Sequence, residues 1–197
     1  MAIDPCHPHL KQCDGITDGK CGWKGNEDTM RRSLAILSLL LWTTGVHAAA
    51  HLPFTEPQAV AAVTFNDATG GQIGLDAFRD KVMVLDFWAT WCAPCRQEFP
   101  ALDRLQADLG ERNVVVVPVS VDAKGLPAVT KFYADLRLTH LAKYLDVGGV
   151  ASQGLGLRGL PTALVIDRQG REVARIEGPV TWDDPVVEGD LLALAGH

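Results

Sequence analysis

The chain has 197 residues, 47% of them apolar and 21% charged, with a formal net charge of −6. That suits one ordinary soluble α/β domain with extensions rather than two full domains, with enough apolar residues to build a core without disulfide staples. The sequence holds no run of Lys or Arg interleaved with aromatics, so the phosphate-neutralising footprint of a nucleic-acid binder is missing and nucleic acid is excluded as a partner.

Residues 1–29 are polar, rich in Asp, Gly and Lys, and show neither a helix nor a strand period, which predicts a disordered upstream extension with Met30 as the true start. This leader carries Cys6, Cys13 and Cys21 with His7 and His9, but Cys spacings of seven and eight do not match the close pairs of zinc sites, so no metal site is assigned. From Met30-Arg31-Arg32 the chain passes into the apolar Leu34 to Trp42 and then Val46-His47-Ala48, the charge, core and exit layout of a secretory signal. The apolar core is too short to span a bilayer comfortably. The expectation is therefore a signal peptide over 30–48, export to the periplasm and cleavage near Ala48. Left uncleaved, the same segment would act as a membrane tether. Residues 49–197 are read as the folded domain.

Along that domain, Ala62 to Asn66 reads as a short strand, Ala68 to Gln72 as a Gly-containing turn and Leu75 to Lys81 as a brief helix or irregular link. Val82 to Trp88 is a nearly unbroken apolar run, the pattern of a strand buried on both faces. Cys92 to Leu109 carries a helix pattern, with Phe99, Leu102, Leu105 and Leu109 at spacings of three and four and Gly110 placed to end it. Asn113 to Val121 repeats the buried-strand pattern, and Ala128 to Leu136 reads as another helix. Two apolar strands joined by a helix predict a right-handed parallel crossover. After a Gly-rich stretch from Gly148 to Gly159, Thr162 to Asp167 and Glu172 to Glu177 flank a turn at Arg168-Gln169-Gly170-Arg171, a hairpin, and Pro185 to Ala195 fits a closing helix. The fold class is α/β, a central mixed sheet flanked by helices.

After residue 30 the only cysteines are Cys92 and Cys95, in Trp91-Cys92-Ala93-Pro94-Cys95, where the strand pattern hands over to the helix pattern. A dithiol on the first turn of a helix meets four unpaired N–H groups and the positive end of the helix dipole. Such settings lower a cysteine pKa from about 8.5 to roughly 3.5–7.5, which makes Cys92 a poised nucleophile. Zinc would need a second ligand pair, and haem attachment would need His where Arg96 stands.

The Cys92–Cys95 segment following Val84 to Ala89, together with Gly159-Leu160-Pro161-Thr162 before a strand, resembles the thioredoxin fold. Phe87-Trp88-Ala89-Thr90-Trp91-Cys92, Glu98-Phe99-Pro100 and Asp167-Arg168-Gln169-Gly170-Arg171 are similar to the TlpA/ResA group of exported thiol-disulfide reductases, over roughly residues 60 to 196. That group carries an insert between the two halves of the fold, and the 65 residues between Cys95 and Pro161 leave room for one within Thr139 to Gly156.

The helix start implies an exposed Cys92 that attacks a partner disulfide and a shielded Cys95 that resolves the mixed disulfide, leaving a redox-active Cys92–Cys95 disulfide with no other cofactor. The resemblance implies further roles. Asp86, inside an apolar strand where burial raises its pKa, matches the acid that takes the Cys95 proton in thioredoxin; TlpA/ResA relatives often have an amide there, so Asp86 departs from their pattern. Glu98 matches a glutamate implicated in thiol protonation. Pro161 matches the cis-proline that faces the dithiol, freeing the Leu160 backbone to pair with an extended substrate. Trp91, with Trp88 and Phe99, is expected to pack around the dithiol. Ala93 and Pro94 help set the potential and lack the histidine of strong oxidants, which favours a reductase.

The leading expectation is an exported reductase of protein disulfides, in cytochrome c maturation or copper-centre assembly, recharged by a membrane thiol electron donor because a periplasm is oxidising. Two other classes are weighed. Peroxiredoxins place Thr three residues before the reactive Cys, where Ala89 stands here; a copper-binding chaperone would use Cys92 and Cys95 with His140 as a candidate addition, but spacing indicates no third ligand.

Overall fold

The computed structural model describes residues 51–196; the expected extension at 1–29 and signal peptide at 30–48 lie outside them. Eight strands form one mixed sheet: β1 (Phe54–Ala59), β2 (Thr64–Asp67), β3 (Gln72–Gly74), β4 (Val82–Trp88), β5 (Val114–Ser120), β6 (Tyr144–Leu145), β7 (Thr162–Ile166) and β8 (Arg171–Glu177). The helices are α1 (Ala93–Leu109), α2 (Gly125–Leu136), α3 (Val150–Gly154) and α4 (Pro185–Ala195). Across the sheet the order is β1-β8-β7-β4-β5-β6-β2-β3, and only the β4–β5 and β5–β6 pairs are parallel.

The two uninterrupted apolar runs become the central pair. All seven residues of β4 are buried, and β4 lies between β5 and β7. Strand alternation sends Val82, Val84 and Trp88 to a core shared with α1, α2 and α4, while Met83, Leu85 and Phe87 join Phe65, Ala151 and Leu155 on the other face. Asp86 therefore points to the α1 side. On α1 the expected stripe is buried, with Phe99, Leu102 and Leu105 fully enclosed against the sheet.

Both antiparallel hairpins are pinned by an Asp-x-x-Gly turn. At Asp67-Ala68-Thr69-Gly70 the Asp67 carboxylate accepts from the Thr69 and Gly71 N–H groups, and Gly70 takes φ +89°. At Asp167-Arg168-Gln169-Gly170 the Asp167 carboxylate accepts from the Gln169 and Arg171 N–H groups, and Gly170 takes φ +81°. A left-handed backbone costs glycine nothing, and an aspartate can hydrogen-bond the turn it begins.

Several sequence expectations need correction. Gly110 stays in the right-handed helical region and the chain runs on as a 3-10 turn over Gly110–Arg112, so the reversal falls to Asn113 at φ 58°. The strand expected at 62–66 begins at Thr64, and the turn expected to end at Gln72 gives way there to β3. β1 escaped the pattern because all six of its residues are exposed and Pro57 interrupts it. The proposed insert region holds β6, which adds to β5, and the single short helix α3.

Because Leu105 is fully buried between α1 and the sheet, Leu105→Ala should cost about 3 kcal/mol. Urea unfolding should show a lower midpoint at unchanged slope; a loss under 1 kcal/mol would mean that α1 is less tightly packed than described.

Candidate active site

β4 ends at Trp88, and a tight turn in which the Cys92 N–H donates to the Ala89 carbonyl at 3.1 Å delivers the chain to α1. Cys92 is the N-cap of that helix, with extended backbone angles, and Ala93 and Pro94 open its first turn. Proline suits this position because its missing N–H would have had no partner there. The Cys95 N–H donates to Cys92 Sγ at 3.3 Å, so a backbone amide at the positive end of the helix is aimed at the sulfur that would carry charge. Cys92 and Cys95 are joined as a disulfide, with Cα atoms 5.3 Å apart. The expected exposure of Cys92 needs revision: it is 5% exposed and Cys95 is 0% exposed. In this oxidised state only a thin edge of Cys92 reaches solvent.

Around the pair, Trp91 stands out into solvent, 67% exposed, rather than packing around the dithiol as expected. Trp88 and Phe99 are core residues with ring centroids 4.1 Å apart. Ala93 is exposed and Pro94 half-buried. The Leu160–Pro161 peptide is cis, as the thioredoxin resemblance implied. Antiparallel pairing of Phe87 with Thr162 carries Pro161 level with Trp88, at the end of the sheet from which Cys92 emerges. Leu160 is half-buried, and among the described residues no turn or loop hydrogen bond engages its N–H or carbonyl.

Two buried carboxyls lie on the elements that lead into and carry the dithiol, Asp86 on β4 and Glu98 on α1 three residues beyond Cys95. Asp86 is completely buried and neither of its oxygens has a hydrogen-bond partner. Glu98 is 5% exposed; its Oε2 accepts from the Val180 N–H at 3.1 Å and from Trp182 Nε1 at 3.3 Å, while Oε1 has no partner. Burial pushes Asp86 well above the usual carboxylate range, and the charge of Glu98 adds to the effect. Burial likewise raises Glu98 to about 7, against the two hydrogen bonds that favour its charged form. Glu98 can therefore exchange a proton near neutrality, as a group serving a thiol must, and burial displaces Asp86 in the same direction.

Sequence reasoning missed the residues that hold these parts in place. Trp182 is fully buried and clamps Glu98, yet a lone tryptophan between a strand and a helix gives no spacing signal. Asp122, just past β5, accepts from both the N–H and the hydroxyl of Thr90, and the Thr90 carbonyl accepts from Arg96 at 3.1 Å. Burial raises Asp122, but the hydrogen bonds from Thr90 and the Lys124 N–H outweigh it and keep the carboxyl below its usual range. His140 is engaged with Asp103 at 3.1 Å, and no group of three metal-ligating side chains occurs among the described residues.

The family model for Redoxin matches residues 55–191, most of the chain. The chain is 32% identical over 155 residues to the thiol-disulfide oxidoreductase ResA of Geobacillus thermodenitrificans, an alignment covering 76% of this chain and 87% of that one. It is also 32% identical to ResA of Bacillus thuringiensis subsp. konkukian, over 58% of this chain and 65% of that one, slightly less than two thirds of the relative's length. A secreted thiol-disulfide isomerase from Corynebacterium glutamicum superposes with a TM-score of 0.65 at 25% identity, covering 77% of this chain and 95% of that one.

The raised Glu98 fixes the sign of a pH effect. A carboxyl with a higher pKa folded than unfolded contributes stability that is fully present below the unfolded value, near 4.5, and lost as pH rises through about 7. Relative to Glu98→Gln, the protein should therefore lose about 3 kcal/mol across that window. Urea unfolding of both proteins through the range checks this, and parallel pH curves would rule it out.

Proposed function

The chain belongs to the redoxin family, and from that membership we propose that it is a thiol-disulfide oxidoreductase working as a reductase of protein disulfides. The observation that carries this reading is the Cys95 N–H aimed at Cys92 Sγ on the first turn of α1, with Cys92 the more exposed residue of the pair. The redox-active disulfide is the whole cofactor.

In the reduced enzyme, Cys92 as thiolate attacks a sulfur of the partner disulfide. A Cys92–partner bond forms, the partner S–S bond breaks, and the leaving partner thiolate takes up a proton. Cys95, giving its proton to Asp86 or Glu98, then attacks Cys92 Sγ. The Cys92–Cys95 bond forms, the mixed disulfide breaks and the second partner thiol is released protonated. Two electrons and two protons pass to the partner, and a thiol donor at the membrane returns them. In this reading the partner's extended chain pairs with the Leu160 backbone and meets the apolar face of Trp91; the cis Leu160–Pro161 peptide and the exposure of Trp91 support it.

Export is supported by the signal-like pattern at 30–48 and by the likeness to a secreted protein. The reductive direction is supported by Ala93-Pro94, which lacks histidine. Cytochrome c maturation or copper-centre assembly is the setting that the resemblance to TlpA/ResA suggests.

Cys92→Ala should abolish reduction of a protein disulfide, a loss of at least about a thousandfold. Cys95→Ala should accumulate Cys92–partner mixed disulfides on a non-reducing gel. Catalytic turnover by Cys95→Ala without trapped partner would overturn the two-thiol scheme.

A further inference from the structure

Beside the dithiol, between the Thr90 turn, the start of α1 and one face of α2, lies an open cleft of about 490 Å³ lined by Thr90, Arg96, Lys124, Lys131, Phe132 and Asp135 among others. It holds three cations and one anion in a chain whose net charge is −6. Lys131 is paired with Asp135 at 2.7 Å, but neither Arg96 nor Lys124 has a carboxylate within ion-pair distance among the described residues. Arg96 is held for use, its guanidinium bonded to the Thr90 carbonyl and lying 5.2 Å from the centre of the Phe132 ring. The first turn of α2 borders the same cleft and adds the positive end of its dipole. The nearby Asp122 is 7% exposed, accepts from Thr90 and the Lys124 N–H, and offsets part of this charge, so that three cations face two carboxylates and the balance stays positive.

Two of its lining residues flank the reacting pair along the chain, Thr90 two residues before Cys92 and Arg96 directly after Cys95. We propose that it docks an acidic segment of the partner polypeptide, Asp or Glu side chains flanking the disulfide that Cys92 attacks. This rests on the oxidoreductase reading and adds to it the chemistry of the substrate. Positive charge beside a dithiol on an otherwise acidic protein both selects such partners and speeds their encounter, and salt weakens it.

The test uses a short peptide whose disulfide is flanked by glutamates, its counterpart with lysines, and neutral hydroxyethyl disulfide. With the reduced protein at low ionic strength, kcat/KM for the Glu peptide should exceed that for the Lys peptide by roughly tenfold, and added salt should remove the difference. The double variant Lys124→Glu, Lys131→Glu should erase the preference while reducing hydroxyethyl disulfide at the original rate. Lys124→Gln alone, which disturbs no ion pair, should weaken the preference by about threefold. Cysteine-free versions of both peptides, titrated into the oxidised protein by NMR, read binding without turnover. Equal affinity for the two peptides, or a preference that survives the double variant, overturns the proposal. A binding preference that holds while no disulfide is reduced supports the cleft and overturns the redox reading instead.

Discussion

One backbone amide organises the site. The Cys95 N–H points at Cys92 Sγ because Cys92 caps a helix that begins immediately after a strand buried on every side. The helix cannot drift, because Phe99, Leu102 and Leu105 fix it to the sheet. The turn cannot drift either, because Asp122 and Arg96 hold Thr90 from two directions. A thiolate formed at Cys92 would thus meet a donor already in place, and the helix dipole would favour it without reorganisation. Cys92 caps the helix and Cys95 lies within its first turn, so the two sulfurs meet different surroundings.

Beneath that amide the chemistry changes character. Asp86 and Glu98 arrive from different elements, one from β4 and one from α1, and share an apolar space in which two negative charges would oppose each other. Glu98 is partly satisfied by Val180 and Trp182, whereas Asp86 has no hydrogen-bond partner at all. An unpartnered buried carboxyl is a cost to folding that a core position would ordinarily not retain. In the proposed mechanism that cost has a chemical use, as a place for the Cys95 proton.

How much of this could be read from the chain depended on burial. β4 and β5 were legible because continuous apolar runs have few other meanings, and α1 because its stripe keeps helical spacing. α4 was legible from end to end, with Asp184 capping its start and Gly196 in the left-handed region beyond its last residue. β1 and β3 were not, since their residues are exposed or half-exposed and their pairing is set by neighbours far away in sequence. The dithiol, the two acids and Pro161 stood out as residue types at odds with their surroundings. Trp182 and Asp122 act only through contacts that the folding of β5 and the segment after β8 creates, and neither spacing nor composition encodes such meetings.

The sheet's two borders are unlike its middle. On one side β1 carries Pro57, which offers no amide, and its register against β8 is irregular; on the other, β3 spans three residues. Neither border presents the long, flat row of unpaired groups that lets two copies of a protein stitch their sheets together. A partner strand pairing at the Leu160 backbone, as proposed, would thus meet a molecule whose rims do not invite its own kind to polymerise.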